Sequence, residues 1–195
     1  MKFDVSAVKE LRDKTAASVI ECKKVLEESE GDIEKALILL KKRGMLISQK
    51  KANRETREGL IGAYVHTNGK VGVLIEVNTE SDFVARNEEF RELVKNLTLQ
   101  ITASDPQWID RESIPADILA QEKSIFKDQF KDKPPAVVEK IIEGKLQYFY
   151  KQNVLMEQPF IKDEEITIKE YVESKIAKLG ENIKIKRFVK FELGG

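Results

Sequence analysis

The chain has 195 residues, enough for one domain or two small ones, with 41% hydrophobic and 35% charged side chains. Its 34 basic and 34 acidic residues balance to a formal net charge of zero, which argues against a general nucleic-acid binder. The single cysteine, Cys22, excludes an internal disulfide and a cysteine-built metal site; no apolar run approaches the roughly 20 residues of a membrane span, and the opening Met1-Lys2-Phe3-Asp4-Val5 has no signal or transit pattern.

Val5, Val8 and Leu11 have the spacing of one helix face and predict a helix that ends near Lys14. Thr15-Ala16-Ala17-Ser18 is a turn, with Ser18 as N-cap of a second helix carrying Val19, Cys22, Val25 and Leu26. Gly31 stops that helix in a left-handed position. Asp32 caps a third, whose apolar face is Ile33, Ala36, Leu37 and Leu40 and which Gly44 closes. Residues 1–45 therefore read as a small three-helix module with a marginal core. Lys41, Lys42, Arg43, Lys50, Lys51, Arg54 and Arg57 follow, and residues 46–58 read as a basic connector. A solvated linker is the plain reading of it, and a nucleic-acid or phosphate contact is the alternative.

Asn68-Gly69 between two alternating segments predicts a hairpin from Gly59 to Val77, both turn positions needing positive φ. The second strand runs Val71 to Asn78. It turns into a helix at Ser81-Asp82-Phe83-Val84-Ala85, where Thr79, Ser81 and Asp82 are capping residues. One long helix then extends from Ser81 to about Ser104, with Phe90, Leu93, Val94, Leu97 and Ile101 on its apolar face and Pro106 as its break. Phe83 lies seven residues before Phe90, so periodicity assigns it to the core, and it assigns Val84, off the stripe, to the surface. Further helices begin at Pro115 and at Pro134-Pro135, and one from Thr167 to Leu179 ends at Gly180. The last segment alternates as a strand, with Ile183, Ile185, Val189, Phe191 and Leu193 on one face and Lys184, Lys186, Lys190 and Glu192 on the other. It pairs with the hairpin. The fold class is α+β: the three-helix module, then a core over residues 59–195 with a three-stranded antiparallel sheet packed with helices.

The catalytic inventory is thin. His66 is the sole histidine and stands beside the hairpin turn, with no partner for a nucleophile and base pair. Gly69-Lys70 lacks the spacing of a phosphate loop, and no dinucleotide fingerprint is present. Carboxylates are scattered among lysines on helix faces. Neither an enzyme nor a cofactor is expected.

Several segments, in order and over nearly the whole chain, resemble the translation elongation factor Ts family. They are Val8-Lys9-Glu10-Leu11-Arg12-Asp13-Lys14-Thr15 with Cys22-Lys23-Lys24-Val25-Leu26; Gly31-Asp32-Ile33-Glu34-Lys35-Ala36; Asn78-Thr79-Glu80-Ser81-Asp82-Phe83-Val84-Ala85-Arg86-Asn87; Glu143-Gly144-Lys145-Leu146 with Gln158-Pro159-Phe160-Ile161-Lys162-Asp163; and Gly180-Glu181-Asn182-Ile183. Ser81 stands where the family usually has Thr, and it keeps the hydroxyl. The resemblance implies a ubiquitin-associated-like N-terminal module and nucleotide exchange on the GTPase elongation factor Tu. It implies that Ser81, Asp82, Phe83 and Val84 enter the partner's nucleotide domain and disturb its magnesium site, which reverses the core assignment of Phe83. It also implies that Arg12, Val19 and Ile20 dock on the partner. Val19 and Ile20 are apolar where the family often has methionine; core and contact readings both stand for them, since one must face inward. The chain is short for the family and has room for a single half-core. A homodimer through the core would supply the second half and give a two-to-two complex; a working monomer is the alternative. The expected setting is a bacterial cytoplasm, or a plastid stroma if the gene is organelle-encoded, with no direct nucleic-acid or membrane partner.

Overall fold

The computed structural model describes residues 4–15, 17–130 and 134–194; Met1–Phe3 and Ala16, part of the predicted N-terminus and first turn, lie outside the described residues. Three helices open the chain: α1 (Val5–Thr15), α2 (Val19–Glu28) and α3 (Ile33–Lys51). Ser18 caps α2 in a reciprocal box with Glu21, which satisfies two backbone donors at once. Glu30 and Gly31 turn the chain with φ of 55° and 89°, and Asp32 then caps α3 by accepting the Lys35 N–H at 3.0 Å. Val8, Leu11, Cys22, Val25, Leu26 and Ala36 form the bundle's core. Val5, predicted on the same face, is exposed, because that core begins one turn further along α1.

Gly44 does not close α3. The helix runs on to Lys51 and so takes in the start of the predicted connector. A glycine within a helix costs about 1 kcal/mol against alanine, and tertiary packing offsets it here: α3 lies along α8 (Ile168–Leu179). The basic residues of this stretch are largely engaged. Lys41 meets Glu170 at 3.4 Å, Arg43 meets Glu28 at 2.5 Å, Arg54 meets Glu80 at 3.4 Å and Arg57 meets Glu55 at 2.8 Å. Lys51 Nζ donates to the carbonyl of Gly180 at the end of α8.

The main sheet is antiparallel with order β1 (Glu58–Val65), β2 (Val71–Thr79), β5 (Ile183–Glu192), as the alternation of the hairpin and of the last segment implied. In the hairpin loop only Gly69 takes positive φ, at 67°. Asn68 contributes instead through its side chain, whose Oδ1 accepts the Lys70 N–H at 2.9 Å. Val73, Ile75 and Val77 point from β2 under α5 (Glu88–Ser104), which supplies Phe90, Leu93, Val94, Leu97 and Ile101 to the same core. Gly62 on β1 makes this approach possible, because a Cβ there would stand 2.4 Å from Val94 Cγ1. On β5 the predicted facing fails beyond Ile185. Ile185 pairs with Val77 and Arg187 with Glu76, so Lys186 is an extra, bulged residue. Past it Phe188 packs on the core, while Val189, Phe191 and Leu193 turn to the opposite, exposed face.

The helices α6 (Ala116–Gln129) and α7 (Pro135–Asn153) follow α5, each beginning right after a proline. A short ribbon of β3 (Pro159–Phe160) and β4 (Asp163–Thr167), which sequence reading missed, then leads into α8. Gly180 ends α8 in a left-handed cap at φ 76°.

Candidate functional site

The predicted single helix from Ser81 to Ser104 is two helices. A one-turn α4 (Asp82–Ala85) ends at Arg86, and Asn87 starts α5 afresh by accepting the Glu89 N–H at 2.8 Å. The restart breaks the phase between Phe83 and Phe90. Phe83 is 81% exposed, whereas Val84 and Ala85 are buried at 7% and 4% in the main core. The periodicity assignments of Phe83 and Val84 are thus reversed: Phe83 stands out from the surface and Val84 is the foot that holds α4 down. Asp82 is also exposed and pairs with Arg86 one turn on, at 2.9 Å.

Ser81 is the N-cap. Its backbone is extended, and its hydroxyl accepts the Val84 N–H at 3.3 Å. The same hydroxyl donates to Glu181 Oε1 at 2.6 Å, and the Ser81 N–H donates to Glu181 Oε2 at 3.0 Å. The Thr79 hydroxyl donates to Glu181 Oε2 at 2.9 Å. One carboxylate therefore gathers three donors from the strand end and the helix cap. Burial pushes the Glu181 carboxyl up, and the hydroxyls of Ser81 and Thr79 with nearby backbone N–H groups outweigh that, leaving it below the usual carboxylate range. Next to it, the Asn182 N–H donates to Glu80 Oε1 at 2.6 Å. The Asn182 amide, 2% exposed, donates to the carbonyls of Ala52 and Arg54 at 3.3 and 2.9 Å. The segment after α3, the end of β2 and the end of α8 are thus tied at the base of α4. Nothing local in the sequence marks this knot, since Glu181 lies 100 residues from Ser81.

Arg12, Val19 and Ile20 belong to the N-terminal bundle, on α1 and at the start of α2, and not to the α4 platform. Val19 is 43% and Ile20 68% exposed. The expectation that one of them faces inward fails, because Cys22, Val25 and Leu26 already supply the inner face of α2. Among the described residues, no helix is long and apolar enough to cross a membrane.

The fold and the site together define an α+β protein with a helical N-terminal module, in which a one-turn helix presents an aromatic side chain clear of the core. The family model for elongation factor Ts matches residues 2–195. Elongation factor Ts of Thermodesulfovibrio yellowstonii is 52% identical over 195 residues, covering 100% of this chain and 98% of the relative. That of Fervidobacterium nodosum is 50% identical over 196 residues with 100% of both covered, and that of Thermosipho melanesiensis 53% over 189 residues with 96% of each. The chain belongs to the elongation factor Ts family, and with it to the machinery of translation elongation.

Proposed function

We propose that this chain is a guanine-nucleotide exchange factor for elongation factor Tu, with Phe83 as the residue that enters the partner. The observation that carries the reading is the exposure of Phe83 at 81% on a helix whose next two residues are buried. An exposed aromatic on so short a helix loses apolar contact with nothing in return unless a second protein covers it. Held by Val84 and by the Ser81 cap, it arrives at a partner without an ordering penalty.

GDP is held in such a GTPase chiefly through its phosphates, by a glycine-rich loop, a lysine and Mg²⁺. In this reading Phe83 wedges beside that site and Asp82, released from Arg86, offers a carboxylate to partner donors. Ser81 and Val84 act from beneath: the first fixes the start of α4 and the second its depth. Displacing the cation removes the largest local positive charge on the phosphates. The factor accelerates release only because it binds the rearranged partner better than the GDP-bound one. By reciprocity, GDP then weakens its hold by the same factor, so one chain serves many partners in turn. Arg12, with the exposed Val19 and Ile20, provides a second contact from the N-terminal bundle. The chain does no bond-making chemistry of its own, takes no cofactor, and works in the bacterial cytoplasm.

A homodimer belongs to the same proposal. The sheet face turned away from α5 carries Ile61 and Val65 from β1, Leu74 from β2, and Val189 and Phe191 from β5, with Leu193 just beyond that strand, all exposed. Register makes it continuous, since Leu74 lies between Ala63 and Val189, and Gly72 between Val65 and Phe191. A contiguous apolar face of this kind marks an interface, and a second copy covers it by symmetry. The complex is then two-to-two. Release of a fluorescent GDP analogue from elongation factor Tu tests the exchange reading, which is wrong if the chain leaves the rate unchanged. Light scattering tests the dimer, which is wrong if the chain runs as a clean 22.3 kDa species at micromolar concentration.

A further inference from the structure

We infer that Glu181 is a positioning residue for exchange: through Thr79 and Ser81 it fixes the start of α4 and so the direction in which Phe83 leaves the surface. The inference rests on the exchange reading above and extends it to a residue outside the exposed tip.

The geometry carries it. A helix of four residues has too few internal hydrogen bonds to hold its own axis. Something outside it must set where it starts. Val84 and Ala85 fix its depth in the core, but a buried foot alone leaves the helix free to pivot about it. The second constraint is the Glu181 carboxylate, which accepts from the Ser81 hydroxyl at 2.6 Å, the Ser81 N–H at 3.0 Å and the Thr79 hydroxyl at 2.9 Å. An ionised carboxylate is acceptor-only, so all three donors point one way and the arrangement has a single sense. The Ser81 hydroxyl, having given its hydrogen to Glu181, keeps its lone pairs for the Val84 N–H. The carboxylate therefore orients the cap as well as holding it.

Glu181 is itself well placed to act as an anchor. Gly180 ends α8 just before it, and Ile183, two residues later, pairs with Thr79 in the sheet. Lys51 binds the end of α3, and Asn182 the segment after it, to the same point. The carboxylate thus stands on a rigid junction, while the residue it serves stands on a short helix. A Phe83 ring aimed at a partner's cation site must arrive within a fraction of an ångström, and two points of attachment supply that where one does not.

Two measurements test this. The first needs no partner: amide hydrogen exchange in the free protein. Glu181→Gln keeps the size but places an amide NH₂ where a donor must be accepted. It is expected to speed exchange of the hydrogen-bonded amides of Ser81, Val84 and Ala85 by about tenfold, with α5 from Phe90 to Ile101 unchanged. No change at these three amides overturns the inference, and so does an equal change throughout α5, which reports general loosening. The second is a cycle in GDP release from elongation factor Tu. Glu181→Gln is expected to lower the maximal rate by about tenfold in the native background and not to lower it further beside Phe83→Ala. Equal losses in both backgrounds overturn the inference, as they mean that Glu181 acts independently of Phe83; a native rate does the same. If Phe83→Ala itself exchanges normally, the exchange reading has failed, and the amide measurement alone decides the positioning role. Should Glu181→Gln fail to fold, Thr79→Val and Thr79→Ser replace it, since the Thr79 hydroxyl donates to Glu181 and leaves the Ser81 cap intact. Valine is expected to lower the rate, with serine near native because it keeps the hydroxyl; equal effects of the two overturn the inference.

Discussion

Truncating Phe83 separates the two duties an aromatic can have, because the structure fixes how much of it each duty uses. Full burial of a phenylalanine side chain stabilises by about 1.5–3 kcal/mol. With 81% of the residue exposed, about one fifth of that is already realised in the free protein. Phe83→Ala should therefore cost only about 0.3–0.6 kcal/mol of folding stability. Burial of the remaining four fifths in a partner is worth about 1.2–2.4 kcal/mol, or roughly 8- to 60-fold in the accelerated rate of nucleotide release. Val84→Ala is the matched control. Val84 is 7% exposed and anchors α4, so its truncation should cost about 1–3 kcal/mol of stability. Urea unfolding reads the stabilities, and release of a fluorescent GDP analogue from elongation factor Tu reads the rates. The reasoning is refuted if Phe83→Ala destabilises the fold as much as Val84→Ala does, or if it leaves exchange at the native rate while folded.

Three further outcomes follow from other parts of the molecule. Gly62→Ala places a Cβ 2.4 Å from Val94 Cγ1 and should destabilise by about 1–3 kcal/mol, part of which Val94→Ala recovers; simple additivity in urea unfolding refutes the close-approach argument. Hydrogen bonds from Lys175, then Lys178, hold the Glu89 carboxyl below its ordinary range. A folded-state value below the unfolded one contributes stability above about pH 4.5 that is lost as pH falls through the folded value. The melting temperature of Glu89→Gln should thus lie below native at neutral pH, with the gap closing in acid, and a gap that stays constant to pH 2 contradicts the assignment. Phe191→Glu places a charge on the outer sheet face, and light scattering should find the 22.3 kDa chain where the native protein reads twice that; an unchanged dimer moves the interface elsewhere.

The parts of this fold that were legible in the sequence are those governed by neighbours along the chain. Ser18 and Asp32 cap the helices they precede, and Gly31 and Gly180 turn the chain after helices, because a cap needs only a few residues to act. Periodicity misled wherever its unstated assumption of one continuous element failed. Lys186 bulges out of β5 and exchanges the faces of Val189 and Phe191; as a lysine among lysines it gives no local sign of doing so. Gly44 reads as a stop until α8 is there to hold α3 on both sides of it. The break at Arg86-Asn87 was the readable one, for Asn87 followed by Glu88 and Glu89 is a helix start in its own right. Had that start been taken at its word, Phe83 would have left the stripe of Phe90 on physical grounds alone. Phe83 is exposed because the chain begins a new helix before the old one has made two turns. That interruption is held in place from Glu181, far away in sequence, so the exposed tip and the residues that aim it can be recognised together only in three dimensions.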